Sequence, residues 1–263
     1  MKRIALMTAF ICIFAADALA WGRLGHEVVI AVAQRHLTEK TKKNIAKFID
    51  YDLKKDAVWM DEHRHDEPIA YSTTWHTSYF DKDFNYTPNV TRKIATGDVF
   101  RALTLAEATF RNNGYKRHCD SVVVFHLRSL IHFVGDMHCP SHTYYDGLSA
   151  KWGEVGLNGK TYHSFHVVYD AMPSLIWGKM AADEIAAQID NASKREIKKI
   201  VSGDLYEWLS KAARMNRVIY DWNPDCPAVL RDDTVNLSVD LVNTQMRNAG
   251  YQLAYLLNLY FGD

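Results

Sequence analysis

Between residues 131 and 142 the chain reads Ile-His-Phe-Val-Gly-Asp-Met-His-Cys-Pro-Ser-His. His132 and Asp136 are four residues apart, just over one helical turn, so they project from the same face of a helix. His138 follows at the helix end, and His142 lies just past Pro140. An imidazole and a carboxylate converging from one helix, joined by an imidazole from the next turn, form one wall of a metal cage. His166 and Asp170 repeat the four-residue spacing further on. A single pair of this kind is ordinarily a local hydrogen bond. Two pairs, one of them set among Ile131, Phe133 and Val134, ask for more, because a buried imidazole and carboxylate are costly without compensation. A metal ion compensates both. His26, Asp61 and His76 extend the candidate set, and His and Asp ligands without clustered thiolates favour zinc in a catalytic role.

The elements that must position these residues read as helices. Residues 28–37 show helical periodicity, and Thr38 to Thr41 reads as a turn and N-cap leading into a helix through Phe48. Residues 57–68 form a charged, His-rich connection; 71–80 are aromatic and threonine-rich, holding Trp75 and His76; 81–96 are turn-rich. Asp98 caps a helix to about Phe110, and 121–137 is the long apolar helix carrying the first motif. Residues 144–163, with Gly147, Gly153, Gly156 and Gly159, read as an irregular excursion or short β-hairpin, placed near 145–163. Helical periodicity resumes at Phe165 towards Met180, then again over about 181–190, 194–214 and 233–259. No repeat or flexible linker intervenes. The expectation is one compact, mainly α-helical domain over 21–263.

Residues 1–20 read as an export signal peptide: Lys2 and Arg3 form a positive start, 4–16 are mostly apolar, and Ala18-Leu19-Ala20 is a small-x-small cleavage signal. The apolar run is shorter than the roughly 20 residues a membrane span needs. Cleavage after Ala20 would make Trp21 the N-terminus of a periplasmic or secreted protein. The whole chain balances 31 basic against 31 acidic residues. Losing Lys2, Arg3 and Asp17 leaves one extra acid, which excludes polyanion binding driven by bulk charge. Nucleic acid would have to be held by metals and aromatic stacking. Cys12 leaves with the leader; Cys119, Cys139 and Cys226 remain, an odd set whose disulfide pairing stays open and whose spacing fits no structural zinc finger. Sequons at Asn85, Asn89, Asn191 and Asn236 would matter only in a eukaryotic secretory route; the compact leader looks bacterial.

Five motifs occur in order: Trp21-Gly22-Arg23-Leu24-Gly25-His26, Trp59-Met60-Asp61-Glu62-His63-Arg64, Trp75-His76, the stretch from His132 to His142, and His166-Val167-Val168-Tyr169-Asp170. In these the chain resembles the trinuclear-zinc, single-strand-specific nucleases of fungi, plants and bacteria, a family that includes 3′-nucleotidases. The resemblance implies three zinc ions. One would be held by Asp61, His76, His132 and Asp136. A second would take the α-amine and carbonyl oxygen of Trp21 with His26, sharing Asp136 as a bridge. The third would take His142, His166 and Asp170. An uncleaved chain lacks that amine, so processing would switch the site on.

The implied reaction is hydrolysis of single-stranded DNA and RNA to 5′-phosphorylated products, with 3′-nucleotides also dephosphorylated, by a monomer needing no protein partner. Zinc ions about 3.5–4 Å apart can activate water at neutral pH. Asp61 and Asp136 belong to this catalytic set. Arg64 stands where the family places a basic residue near the attacking water and phosphate, although an ion pair within its acidic run is an equal reading. Two departures matter. The family commonly follows the His of Trp-His with an aromatic residue and, three residues after that His, an Asp or Asn; here these are Thr77 and Tyr79. Where Gly-Gly-Asn is usual before His166, this chain has Trp152-Gly153-Glu154. Tyr79, Tyr144 and Tyr145, with Phe80 and Trp152, are the candidates to stack a base, and Asp81 to supply the carboxylate; each also reads as structural. Two other functions fit less well: a zinc phospholipase C, which shares the scaffold but carries Glu where this chain has Asp170, and a periplasmic zinc-binding protein without turnover, against which open ligand shells argue. His36, His118 and His126 read as surface or satisfied core residues. His63, His65, His138 and His163 fit none of the three sites and at most support the ligands.

Overall fold

The computed structural model describes residues 21–86, 97–146, 153–222 and 229–262. The expected leader, Asn89, Trp152 and Cys226 lie outside them. In chain order the helices are α1 (Gly22–Arg35), α2 (Glu39–Ile45), α3 (Trp59–Glu62), α4 (Val99–Phe110), α5 (Asp120–His138), α6 (Phe165–Trp177), α7 (Ala182–Ile189), α8 (Lys194–Ile200), α9 (Leu205–Asn216), α10 (Val218–Trp222) and α11 (Thr234–Phe261). Four short strands join them: β1 (Ser78–Phe80), β2 (Thr143–Tyr145), β3 (Val155–Leu157) and β4 (Lys160–Tyr162). The mainly α-helical architecture is as expected.

α1 lies at the centre. Val28 to Ala33 are all buried, the mark of a helix apolar all round, and α1 packs against α11, α7, α6 and α5. Its crossing with α11 is close. A Cβ on Gly250 would meet Val32 Cβ at 2.5 Å and the Val29 carbonyl oxygen at 2.9 Å, so only glycine lets the two backbones approach this far. Apolar side chains from α1 through α11 form one continuous core. Helix starts follow the expected chemistry: Thr38, Asp98 and Ser164 each accept a hydrogen bond from a backbone N–H in the first turn of α2, α4 and α6. Among the described residues no helix is long and apolar enough to cross a membrane.

Two local features depart from the periodicity. The expected helix over 194–214 is two helices, α8 and α9, because Gly203 adopts a left-handed φ of 92° and Asp204 then caps α9 through Glu207 N. The excursion before α6 contains the antiparallel pair β3–β4, turned by Asn158 and Gly159, both at positive φ; this is the turn whose twist matches paired strands. The other pairing has no local signature. β1 and β2 run parallel, with Tyr79 opposite Tyr144. That register brings the segment after His76 beside the segment after His142.

Candidate metal centre

Six separate segments deliver the eight predicted side-chain ligands. α1 gives His26, α3 gives Asp61, and the stretch between a 3-10 turn (Ala70–Thr74) and β1 gives His76. α5 gives His132 and Asp136, the 3-10 turn Pro140–His142 gives His142, and α6 gives His166 and Asp170. All are buried except His166, which is half-buried.

Asp136 is the hub. Its Oδ2 lies 3.0 Å from His76 Nδ1 and 3.1 Å from His132 Nε2; its Oδ1 lies 3.4 Å from both His26 Nε2 and His142 Nδ1. Asp61 approaches His76 Nδ1 at 3.4 Å and His132 Nε2 at 3.7 Å. Asp170 is the second focus, 3.1 Å from His166 Nε2 and 3.4 Å from His142 Nε2. The rings are layered, His26 on His132 at 4.2 Å between centroids and His142 on His166 at 4.6 Å. Gly135 makes room for this: a Cβ there would lie 2.7 Å from His26 Nδ1.

Backbone carbonyls set the tautomers. His132 Nδ1 donates to the Ala57 carbonyl at 2.9 Å, His142 Nδ1 to the His76 carbonyl at 2.5 Å, and His166 Nδ1 to the Ser141 carbonyl at 3.2 Å. A carbonyl can only accept, so each Nδ1 carries a proton and each Nε2 is turned inward, the atom left to offer a lone pair when a metal is bound. This is the arrangement that orients imidazole towards a metal.

The charges agree. Burial alone would push the His132 and His142 rings towards neutrality. The Asp136 carboxylate overrides it, helped by Asp61 at one ring and Asp170 at the other, and both are pushed up to about 9. Burial would likewise raise the carboxyls, yet His132 and His142 hold Asp136 well below the usual carboxylate range. His166 and His142 hold Asp170 down at about 2. His26, fully buried beside His132, is lowered instead. The frame is thus anionic at its two foci and draws positive charge into a dry interior.

Many of its atoms have no partner. Both ring nitrogens of His26, both oxygens of Asp61, His76 Nε2, Asp136 Oδ1, His142 Nε2 and Asp170 Oδ2 are buried without a hydrogen bond, an expense that metal ligation removes. Three sets bring donor atoms within 4.8 Å of one another: His26, His132 and Asp136; Asp61, His76 and His132; Cys139, His142 and Asp170. The donor chemistry fits metal ions. The third set includes Cys139, which cysteine spacing alone does not mark as a ligand. Cys139 Sγ lies 3.7 Å from Asp170 Oδ1, and burial followed by the Asp170 charge pushes its thiol up. Its signal was its place inside the motif, three residues before His142. Trp21 is anchored by its indole N–H to the Gly135 carbonyl at 2.8 Å, and its backbone N–H faces the Cys139 sulfur.

A family profile described as S1/P1 Nuclease matches residues 21–262. The chain belongs to the S1/P1 nuclease family. Among curated proteins, Endonuclease 4 of Arabidopsis thaliana is 29% identical over 178 residues, a stretch covering 59% of this chain and 56% of the relative. The chain therefore matches little more than half the length of that plant protein.

The remaining predicted site residues of this family member divide. Arg64 forms no ion pair among the described residues; its Nε donates to His65 Nε2 at 3.2 Å, while the neighbouring acids are engaged elsewhere, Glu62 by Arg23 and Asp66 by His63. Tyr79 and Tyr144 stack on each other across the β1–β2 register, 5.1 Å apart and 21° from parallel. Tyr144 is half-buried and Tyr79 buried. Tyr145 differs from the expectation. It alternates to the inner face of β2, packs against Phe80, Phe84 and Tyr220, and donates its hydroxyl to the Ala213 carbonyl; it is a core residue, with no face to offer a base. Phe80 is buried beside it. Asp81 spends its carboxylate on the backbone of its own loop, accepting from Asp83 N and Asn85 N. His36 is the satisfied residue expected, on Asp190 at 2.9 Å. His138 points away from the ligands, donating to the Val134 carbonyl.

Proposed function

We propose that this chain is a zinc-dependent endonuclease that cleaves single-stranded DNA and RNA to 5′-phosphorylated products and also removes the phosphate of 3′-nucleotides. The observation that carries it is the convergence of five imidazoles on two buried carboxylates, with three Nε2 atoms turned inward by backbone carbonyls. Three zinc ions are the stoichiometry this donor set supports: one by Asp61, His76, His132 and Asp136; one by His26, Asp136 and the Trp21 amine and carbonyl; one by His142, His166 and Asp170. When bound, such ions activate water and neutralise phosphoryl charge. The protein's own part is to hold them. Asp136 shares one carboxylate among four imidazoles, the carbonyls of Ala57, His76 and Ser141 keep the rings from turning, and the apolar walls of α1 and α5 exclude water. Arg64, which forms no ion pair among the described residues, is the cation we assign to the phosphate. The Tyr79–Tyr144 stack is the aromatic platform for a base.

We also propose export with cleavage between Ala20 and Trp21. The Trp21 backbone nitrogen already lies against Cys139 beside the centre, where a freed amine becomes a ligand. A processed protein carrying one extra residue before Trp21 should lose activity and one metal ion; unchanged metal content would remove the amine from the ligand set.

The deciding experiment is metal analysis of the processed protein together with a panel of single-stranded DNA, duplex DNA, RNA, 3′-AMP and phosphatidylcholine. Chelation should abolish nucleic-acid cleavage and zinc should restore it. Lipid cleavage without nucleic-acid cleavage would make the chain a phospholipase, and bound zinc without turnover a binding protein.

A further inference from the structure

Cys139 ends α5 and opens the 3-10 turn Pro140–His142, which is closed by the His142 N–H donating to the Cys139 carbonyl at 3.0 Å. Residues three apart in such a turn eclipse one another, so the thiol of Cys139 and the ring of His142 come out on one side. A buried cysteine is ordinarily a small apolar residue. This one is fully buried but set among polar groups. Its Sγ lies 3.3 Å from Ser141 Oγ and 3.7 Å from Asp170 Oδ1, and the backbone N–H of Trp21 faces it.

Asp170 divides its oxygens between two neighbours. Oδ1, on the Cys139 side, lies 3.4 Å from His142 Nε2; Oδ2 lies 3.1 Å from His166 Nε2. His142 Nε2 and Asp170 Oδ2 are buried without a hydrogen bond, which asks for a ligand between these groups. The donor atoms of Cys139, His142 and Asp170 all lie within 4.8 Å of one another. Around a tetrahedral ion with bonds of about 2.3 Å to sulfur and 2.0–2.2 Å to nitrogen or oxygen, neighbouring donors sit about 3.3–3.6 Å apart. The observed 3.7 Å from sulfur to oxygen and 3.4 Å from nitrogen to oxygen match that spacing. The cavity of about 650 Å³ between α8, α9 and α11 offers no such convergence: the unpartnered side-chain oxygens of Gln245, Asn248 and Gln252 beside it are closed off from it.

We propose that Cys139 Sγ is a ligand of the third metal ion, beside His142, His166 and Asp170. The inference rests on the zinc reading of the centre and adds a sulfur to it. On binding, the S–H bond breaks, an S–metal bond forms and the proton leaves to solvent. The thiolate adds a second negative charge to a site that otherwise holds one carboxylate. Its softness favours zinc over magnesium, calcium or manganese.

The test uses processed protein carrying Cys119→Ser and Cys226→Ser, in which Cys139 is the remaining thiol. Loaded with zinc, it should show sulfur at about 2.3 Å by X-ray absorption, with about one sulfur for every three ions. Loaded with cobalt, it should show a sulfur-to-cobalt charge-transfer band in the near ultraviolet, which adding Cys139→Ser abolishes. Cys139→Ser should also weaken retention of one ion in three by at least about tenfold in chelator competition, since even an outer partner of a ligand contributes that much. Three bound ions and nucleic-acid cleavage without sulfur scattering or the band would overturn the sulfur ligand and leave the nuclease reading standing. The band and the scattering without nucleic-acid cleavage would support the sulfur ligand and count against that reading. Protein that binds no metal would overturn both. The spectra with Cys139 intact stand whether or not Cys139→Ser folds.

Discussion

The metal centre and the α8–α9–α11 cavity both bury polar atoms that the protein leaves without partners, and they differ in what those atoms are. In the centre they are imidazole nitrogens and carboxylate oxygens from six segments, packed within 3.0–3.7 Å of one another around Asp136 and Asp61. Beside the cavity they are neutral amide oxygens in a row on one helix, while the cavity itself is lined by lysines and arginines. Convergent anionic foci draw a cation. The amide oxygens are closed off from solvent, so the cationic cavity beside them does not reach them. Unsatisfied buried groups thus point to a ligand where they converge on one place and carry charge, as the His and Asp atoms do.

Breaking the hub should have the largest effect. Asp136→Ala removes the carboxylate shared by four imidazoles, so metal affinity should fall by at least about a hundredfold and nuclease activity with it. Metal analysis after dialysis checks this; full retained stoichiometry would remove Asp136 as the bridge. The next test is pH. In the metal-free protein His132 and His142 stay protonated up to about 9, so an incoming ion must displace those protons. Apparent affinity should rise with pH towards 9 by up to about tenfold per unit for each proton displaced, read by competition with a chelator of known pH dependence. The same shifts set the stability of the metal-free protein. His132 and His142 are raised above 6.5, so their contribution is complete below 6.5 and is lost as pH rises through 9. Asp170 is depressed from 3.8, so its contribution is present above 3.8 and is lost as pH falls through about 2. Melting of the chelated protein should therefore weaken between pH 6.5 and 9; a flat profile there would contradict the assigned ring charges.

A smaller effect is expected at Gly135. Gly135→Ala pushes a methyl group against His26 Nδ1 and should cost about 1–3 kcal/mol of stability, with weakened metal retention, in thermal melts and metal analysis. The smallest belongs to the cavity. Gln252→Leu removes one donated bond and one orphan oxygen together, which should nearly cancel to within about 1 kcal/mol with metal content unchanged. A metal loss in that variant would merge the two regions into one.

Much of the centre was legible because chemistry and periodicity coincided. His132 with Asp136 and His166 with Asp170 lie one helical turn apart, so local geometry alone put each pair on one face. Asp98 announced α4, and the apolar run of α5 announced a buried helix. The break at Gly203 and Asp204 was equally local and could have been read from the glycine followed by a capping acid. Tyr145 was not so accessible. Alternation along β2 turns it inward only because β2 pairs with β1 and packs beneath α9 and α10, contacts that sequence neighbours do not encode. Cys139 was not legible from its spacing to other cysteines, because its partners are His142 and Asp170.

The sequence by itself determined the donor types, their pairing within a helical turn, the helical architecture and the motifs shared with the S1/P1 nucleases, since each depends on residues close together in the chain. Only the tertiary structure decided that Asp136 would serve four imidazoles, that backbone carbonyls would orient three of the rings, and that the side-chain oxygens of Gln245, Asn248 and Gln252 would be buried without partners. Those outcomes depend on how α1, α5, α9 and α11 pack, and packing joins residues too far apart in sequence for any local period to relate them.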